Sequence, residues 1–192
     1  MSDQQNPEIL TYLKQRRSEL ALTMEGDAPN EAELQEILTV ASRVPDHGKL
    51  VPWRFVIYTA STRAKIGKGL QAIADQIGND MAKKKYEKCI ERFISAPMVI
   101  GIISTACEHE KVPVWEQWLC GGAVAMNCLI ASQALGFGAQ WLTGWLCYDE
   151  GALKLLDVAE NEKVIGLMHI GRSTAEKHDR DRPDLNKITK TF

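Results

Sequence analysis

Arg16-Arg17-Ser18 is the grouping in this chain whose side chains point most directly to chemistry. Two guanidiniums and a hydroxyl suit the fork geometry of a cluster of phosphoryl oxygens, so the triplet reads as a phosphate socket. A plainer role fits the same residues. Cations are favoured at a helix C-terminus, and the pair can cap such a helix while staying solvated.

A second grouping runs from Arg43 through Pro45, Asp46, His47 and Lys49 to Pro52-Trp53. Binding groups concentrate on loops carried by a rigid scaffold, and this segment offers Arg, Asp, His and Lys within seven positions. Its alternative is a proline-stiffened turn with charges facing solvent. A third grouping, Trp141-Leu142-Thr143-Gly144-Trp145, combines a flat apolar wall with one hydroxyl. Two core tryptophans would give the same pattern.

Other chemistries find less support. The chain has no G-x-S-x-G, no P-loop and no H-E-x-x-H. Cys107-x-His109 has no second pair nearby and reads as a surface loop, so no metal is expected. Gly136-Phe137-Gly138 lacks the third glycine of a dinucleotide fingerprint. A net charge of -2 gives no reason to expect nucleic acid or an anionic membrane as partner. The five cysteines show no C-x-x-C spacing and read as buried free thiols. The polar start around Gln4 and Gln5 lacks a signal-peptide pattern, so the expected location is cytoplasmic. The uncharged stretch 117–148 is interrupted by glycines and polar residues and falls short of the roughly 20 apolar residues that span a bilayer. It reads as a buried helix followed by a strand.

The elements that must position these residues are legible in outline. The first helix starts with Asn6 as cap and Pro7 at its first position, shows an apolar face of Ile9, Leu10 and Leu13, and places Arg16 and Arg17 in its last turn. A second starts at a capping box of Asn30 and Glu33 and ends near Arg43. Residues 53–58 read as a strand, 59–88 as one polar helix with an exposed Lys83-Lys84-Lys85 run, and 97–103 as a strand buried on both faces. A long helix from Val114 to Leu135, a strand at 139–143, a short helix from Glu150 capped by Asp149 and a strand at 164–170 follow. The tail holds the charged run Lys177 to Asp184. The whole tail from Gly171 onward, which alternates from Ile188 to Phe192, is either frayed or laid as an edge strand on another subunit.

Taken in order, Arg16-Arg17-Ser18, Pro45-Asp46-His47 with Pro52-Trp53, Val112-Pro113-x-Trp115-Glu116, and Gly136-Phe-Gly138 leading to Trp141-x-Thr143-Gly144 closely resemble the flavin-dependent nitroreductase family, in its short YdjA-like branch. The likeness runs from about residue 8 to 172. It implies an α+β fold, a mixed sheet flanked by helices, in an intertwined homodimer with FMN at the interface. Residues 1–192 would form one FMN-binding domain, with 172–192 as a C-terminal arm on the partner subunit. The small residues Gly121, Gly122, Ala123, Ala125 and Cys128 suit close packing of the central helix on a partner helix.

Carried over by position, the resemblance implies that Arg16 and Ser18 hold the FMN phosphate and that Arg17 lies along the ribityl chain or ring edge. Arg43 and His47 would be cofactor contacts, with Trp141, Leu142 and Thr143 lining the flavin from the other side. No side chain need act as a dedicated acid or base, and His47 is the candidate for tuning. Two positions depart from the family pattern: Leu20 stands where many members carry a lysine facing the flavin, and Val51 where they tend to carry glutamine. Arg43 is the candidate to replace the lysine. The implied activity takes hydride from NADH or NADPH through FMN to a nitro compound, quinone or similar small-molecule acceptor. Another flavin reaction on the same fold, or a flavin-binding redox sensor without turnover, remains the alternative.

Overall fold

The computed structural model describes residues 6–173, 175–176 and 179–192. Gln4 and Gln5 of the polar N-terminus and Lys177-His178 of the charged tail lie outside them. The helices are α1 (Pro7–Gln15), α2 (Glu31–Ala41), α3 (Ala60–Ala74), α4 (Asp80–Ser95), α5 (Val114–Ala134), α6 (Glu150–Leu155) and α7 (Leu185–Ile188). The strands are β1 (Trp53–Tyr58), β2 (Met98–Ser104), β3 (Gly138–Leu142) and β4 (Lys163–Gly171). The chain divides into two units, residues 18–174 and a smaller one of residues up to Arg17 together with those from Ala175 onward.

In the larger unit the strands lie in the order β1-β2-β4-β3, every pair antiparallel. Within one chain the sheet is therefore not mixed. Side chains on successive strand positions face opposite sides, and β2 shows the consequence. Val99 and Ile103 join the core beneath α3, α4 and α6, while Ile100 and Ile102 join the core beneath α2 and α5. Both faces of β2 and β4 are thus covered, as the continuous apolar run of β2 predicts.

Local chemistry sets the helix ends. Asn30 accepts from the Glu33 N–H at 3.0 Å while Glu33 accepts from the Asn30 N–H at 2.9 Å, closing the expected capping box of α2. α5 stops in a Schellman motif: Phe137 N–H donates to the Ser132 carbonyl at 3.0 Å, with Gly136 at φ 80°. Among the described residues no helix is long and apolar enough to cross a membrane. α5 instead buries Cys120, Val124, Ala125 and Cys128 against the sheet.

Several expectations are corrected. The stretch 59–88 is two helices, because Asp75 closes α3 and Asn79, after Gly78, caps α4 by accepting from Ala82 N–H at 2.9 Å. Within the lysine run only Lys84 and Lys85 are exposed; Lys83 is half-buried and pairs with Asp75 at 2.9 Å. The small-residue stripe divides. Gly121 lies against Ile165 of β4 and Ala125 and Cys128 are in the chain's own core, whereas Gly122 meets open space. Leu185–Ile188 is a helical turn, and residues 189–192 carry no secondary structure within this chain. Cys107 is exposed and Cys89 half-buried, so only Cys120, Cys128 and Cys147 are buried thiols.

In the smaller unit neither α1 nor α7 buries a residue. Ile9, Leu10 and Leu13 on α1, and Leu185, Ile188 and Phe192 in the tail, are all exposed. Arg182 donates to the Lys14 carbonyl at 3.1 Å and pairs with Asp179 at 2.8 Å.

Candidate functional site

α1 ends at Gln15, just before the two arginines expected in its last turn. Arg16 is its C-cap, with N–H bonded to the Tyr12 carbonyl at 2.8 Å but ψ at 140°, and Arg17 lies beyond the helix. The chain leaves the helix here because Glu19 N–H goes on to the Ala139 carbonyl of β3 at 3.1 Å. Arg16 Nε is buried without a hydrogen-bond partner among the described residues. An unpaired donor of this kind costs free energy unless something outside the chain accepts from it. Ser18 is exposed.

The loop between α2 and β1 carries Arg43 and His47 and is held mainly from α5. Asn127 donates to the Arg43 carbonyl at 2.9 Å, Cys120 Sγ lies 3.2 Å from the Pro45 carbonyl, and Glu116 Oε1 lies 2.8 Å from His47 Nδ1. Residues 116, 120 and 127 are spaced by four and seven, so they share one helix face. From within the loop, Asp46 accepts from Leu50 N–H at 3.2 Å and Val51 N–H at 2.8 Å. The backbone so held is strained: Gly48, Lys49 and Val51 have φ of 74°, 55° and 49°. Left-handed φ at a β-branched residue such as Val51 is a true outlier, and strain of this kind gathers at functional sites.

Beside this loop lies a cleft of about 510 Å³, lined by Asp46, His47 and Glu116 on its polar side and by Val112, Leu119 and Ala123 on its apolar side. Cys120 also borders it, but burial first and the nearby Asp46 second push its thiol up to about 11. A thiol so poised supplies no thiolate at neutral pH. Trp115, Trp118 and Leu119 of α5 are exposed.

Trp141 and Leu142 end β3, and Thr143 follows it. The Trp141 indole is half-buried and donates to the Ile165 carbonyl at 3.1 Å. Trp145 donates to the Tyr86 carbonyl at 3.2 Å and stacks on the Tyr86 ring at 4.4 Å. Leu142 and Thr143 share a small void with Cys89, Arg92 and His169. Burial, opposed by hydrogen bonds to the Leu167 and Gln140 backbone, lowers the His169 imidazole to about 4.

Arg43 and His47 share one loop, on the other side of the sheet's strand order from Trp141–Thr143. β1, which the first pair precedes, and β3 are opposite edges of the sheet. Three strand spacings, about 14 Å, separate them. Glu116 and Asp46 were quoted in the sequence motifs without a role. The available signal for Glu116 was Pro113 at the N-cap, since a proline has no N–H for a capping-box glutamate to accept from.

The chain has relatives in sequence and in fold. A protein of Haemophilus influenzae, provisionally named an NAD(P)H nitroreductase, is 33% identical over 175 residues, covering 91% of this chain and 92% of its own length. YdjA of Escherichia coli K12, under the same provisional name, is 30% identical over 164 residues, covering 85% of this chain and 87% of YdjA. The crystal structure of a nitroreductase with bound FMN from Bacteroides fragilis shares the fold at a TM-score of 0.73 and 18% identity, over 96% of this chain and 99% of that one. The profile of the Nitroreductase family matches residues 13–172, and the chain belongs to that family.

Proposed function

We propose that the protein is an FMN-dependent NAD(P)H oxidoreductase, with nitro compounds, quinones or similar small molecules as electron acceptors. FMN, when bound, supplies the redox chemistry, taking hydride from NADH or NADPH and returning reducing equivalents to the acceptor in a ping-pong cycle. The chain's own residues would place it. The observation that carries the reading is the buried Arg16 Nε, which has no partner among the described residues, in a triplet whose donor set matches a phosphate. Arg16 and Ser18 would take the phosphate, with Arg17 alongside. Because Arg16 is a C-cap already turned out of helical geometry, the phosphate need not lie on the helix axis, which eases the repulsion expected from the dipole.

Arg43 and His47 on one side, and Trp141, Leu142 and Thr143 on the other, would complete the site. Their places on opposite sheet edges support a site built by two subunits, one cluster from each. Each unit has exposed apolar residues of the kind that such a homodimer would cover, those of α5 in the larger and those of α1 and the tail in the smaller, with 172–192 as the arm. In this reading residues 1–192 serve a single function, and the protein acts in the cytoplasm.

Purified protein should be yellow, release FMN rather than FAD on denaturation, and elute as a dimer. Steady-state oxidation of NADH or NADPH with an acceptor panel then separates a reductase from a sensor, which would be reduced once and stop. Colourless protein that fails to take up added FMN would sink the proposal.

A further inference from the structure

We infer that Glu116 is a positioning residue that acts through His47, fixing the ring so that Nδ1 carries the proton and Nε2 is the nitrogen left for the molecule in the cleft. The inference rests on the reading above, in which His47 meets the cofactor.

Glu116 occupies the third position of α5, where a glutamate ordinarily reaches back to the N-cap backbone N–H. The N-cap here is Pro113, which has no N–H and makes no side-chain cap. The carboxylate is thereby free to turn outward, and it meets His47 Nδ1 at 2.8 Å. A carboxylate is an acceptor only, so the proton of a neutral His47 must sit on Nδ1 and Nε2 keeps its lone pair. The grip is not isolated. Cys120 and Asn127 hold Pro45 and Arg43 from the same face of α5, and Asp46 pins the left-handed backbone that follows. Ring orientation and backbone position are thus set together, as pre-organisation of a contact requires. His47 and Glu116 both line the 510 Å³ cleft, so the remaining nitrogen borders the space a ligand would enter.

A double-mutant cycle on the FMN-loaded enzyme tests this. Glu116→Ala should lower acceptor kcat/KM or FMN affinity by about tenfold, the scale of a lost hydrogen bond to a charged group. Glu116→Gln, whose amide oxygen still accepts from Nδ1–H, should recover most of it. In a His47→Ala background Glu116→Ala should change either quantity less than twofold. A full loss persisting in that background, or no loss in the wild-type background, overturns the proposal. Nitrogen NMR of labelled histidine gives a readout independent of turnover and cofactor: the Nδ1–H tautomer of His47 in the wild type and in Glu116→Gln, and a mixture in Glu116→Ala. An Nε2–H tautomer in the wild type overturns it even if Glu116→Ala fails to fold. Failure of wild-type protein to bind FMN would instead remove the functional reading, while the NMR still reports whether Glu116 holds His47.

Discussion

The Trp141 indole fills the space that a side chain at Gly166 would need, and its N–H is anchored to the carbonyl of the adjoining Ile165 at 3.1 Å. The ring is therefore positioned by an absence: β4 is bare where the indole crosses it. Gly166→Ala cannot be accommodated without moving the indole. It should destabilise the fold by about 1–3 kcal/mol, as overpacking does, and weaken FMN binding together with stability. Urea denaturation and FMN titration of the variant check both, and unchanged stability would show that the ring has another place to go.

Arg16 is the sharper test of the cofactor assignment, because its Nε is already buried and has no partner among the described residues. Arg16→Ala should weaken FMN binding by about 1.5 to 3 kcal/mol, the worth of a hydrogen bond to a charged group. Binding of riboflavin, which lacks the phosphate, should be unaffected. Equal weakening of both ligands by the variant would place Arg16 away from the phosphate.

What was legible in the sequence was mostly local. Asn30 with Glu33 and the glycine at 136 act within five residues of themselves, and the helix ends they specify are where the spacing puts them. The break between α3 and α4 was missed because polar residues continue across it and only Gly78 with Asn79 mark it. Long-range geometry was not legible at all. That His47 and Trp141 belong to opposite sheet edges follows from strand order, which no local pattern encodes. The His47–Glu116 contact spans 69 residues and depends on how α5 crosses the sheet. The family motifs named the site residues without showing which of them share a chain's own cleft.

Acid should unfold the protein through His169. Burial is the main reason its imidazole titrates at about 4 instead of 6.5, and Arg63 and Arg92 push in the same direction. Between those values the unfolded chain binds a proton that the folded one does not, so stability falls as pH drops from 6.5 toward 4 and is flat with respect to this group above 6.5. The full shift amounts to about 3 kcal/mol. Denaturation at pH 7 and 4.5 should show most of that loss in the wild type and much less in His169→Gln. An equal loss in both proteins would assign the acid sensitivity to other groups.

The loop that carries His47 should prove to be held against its own preference. Val51 adopts φ 49°, a region that costs a non-glycine residue about 1–2 kcal/mol and a β-branched one more. What opposes this is Asp46, whose carboxylate accepts from Val51 N–H at 2.8 Å and from Leu50 N–H at 3.2 Å. Val51→Gly relieves the folded state but gives the unfolded chain extra freedom of about 0.4–1 kcal/mol, so the net change should be a gain of about 1 kcal/mol. Asp46→Ala should lose about 1–3 kcal/mol, since two backbone donors lose their acceptor. If the strain serves to hold His47, Val51→Gly will also lower FMN affinity or acceptor kcat/KM while raising Tm. A more stable variant with unchanged function would show that the strained turn serves only the path of the chain into β1.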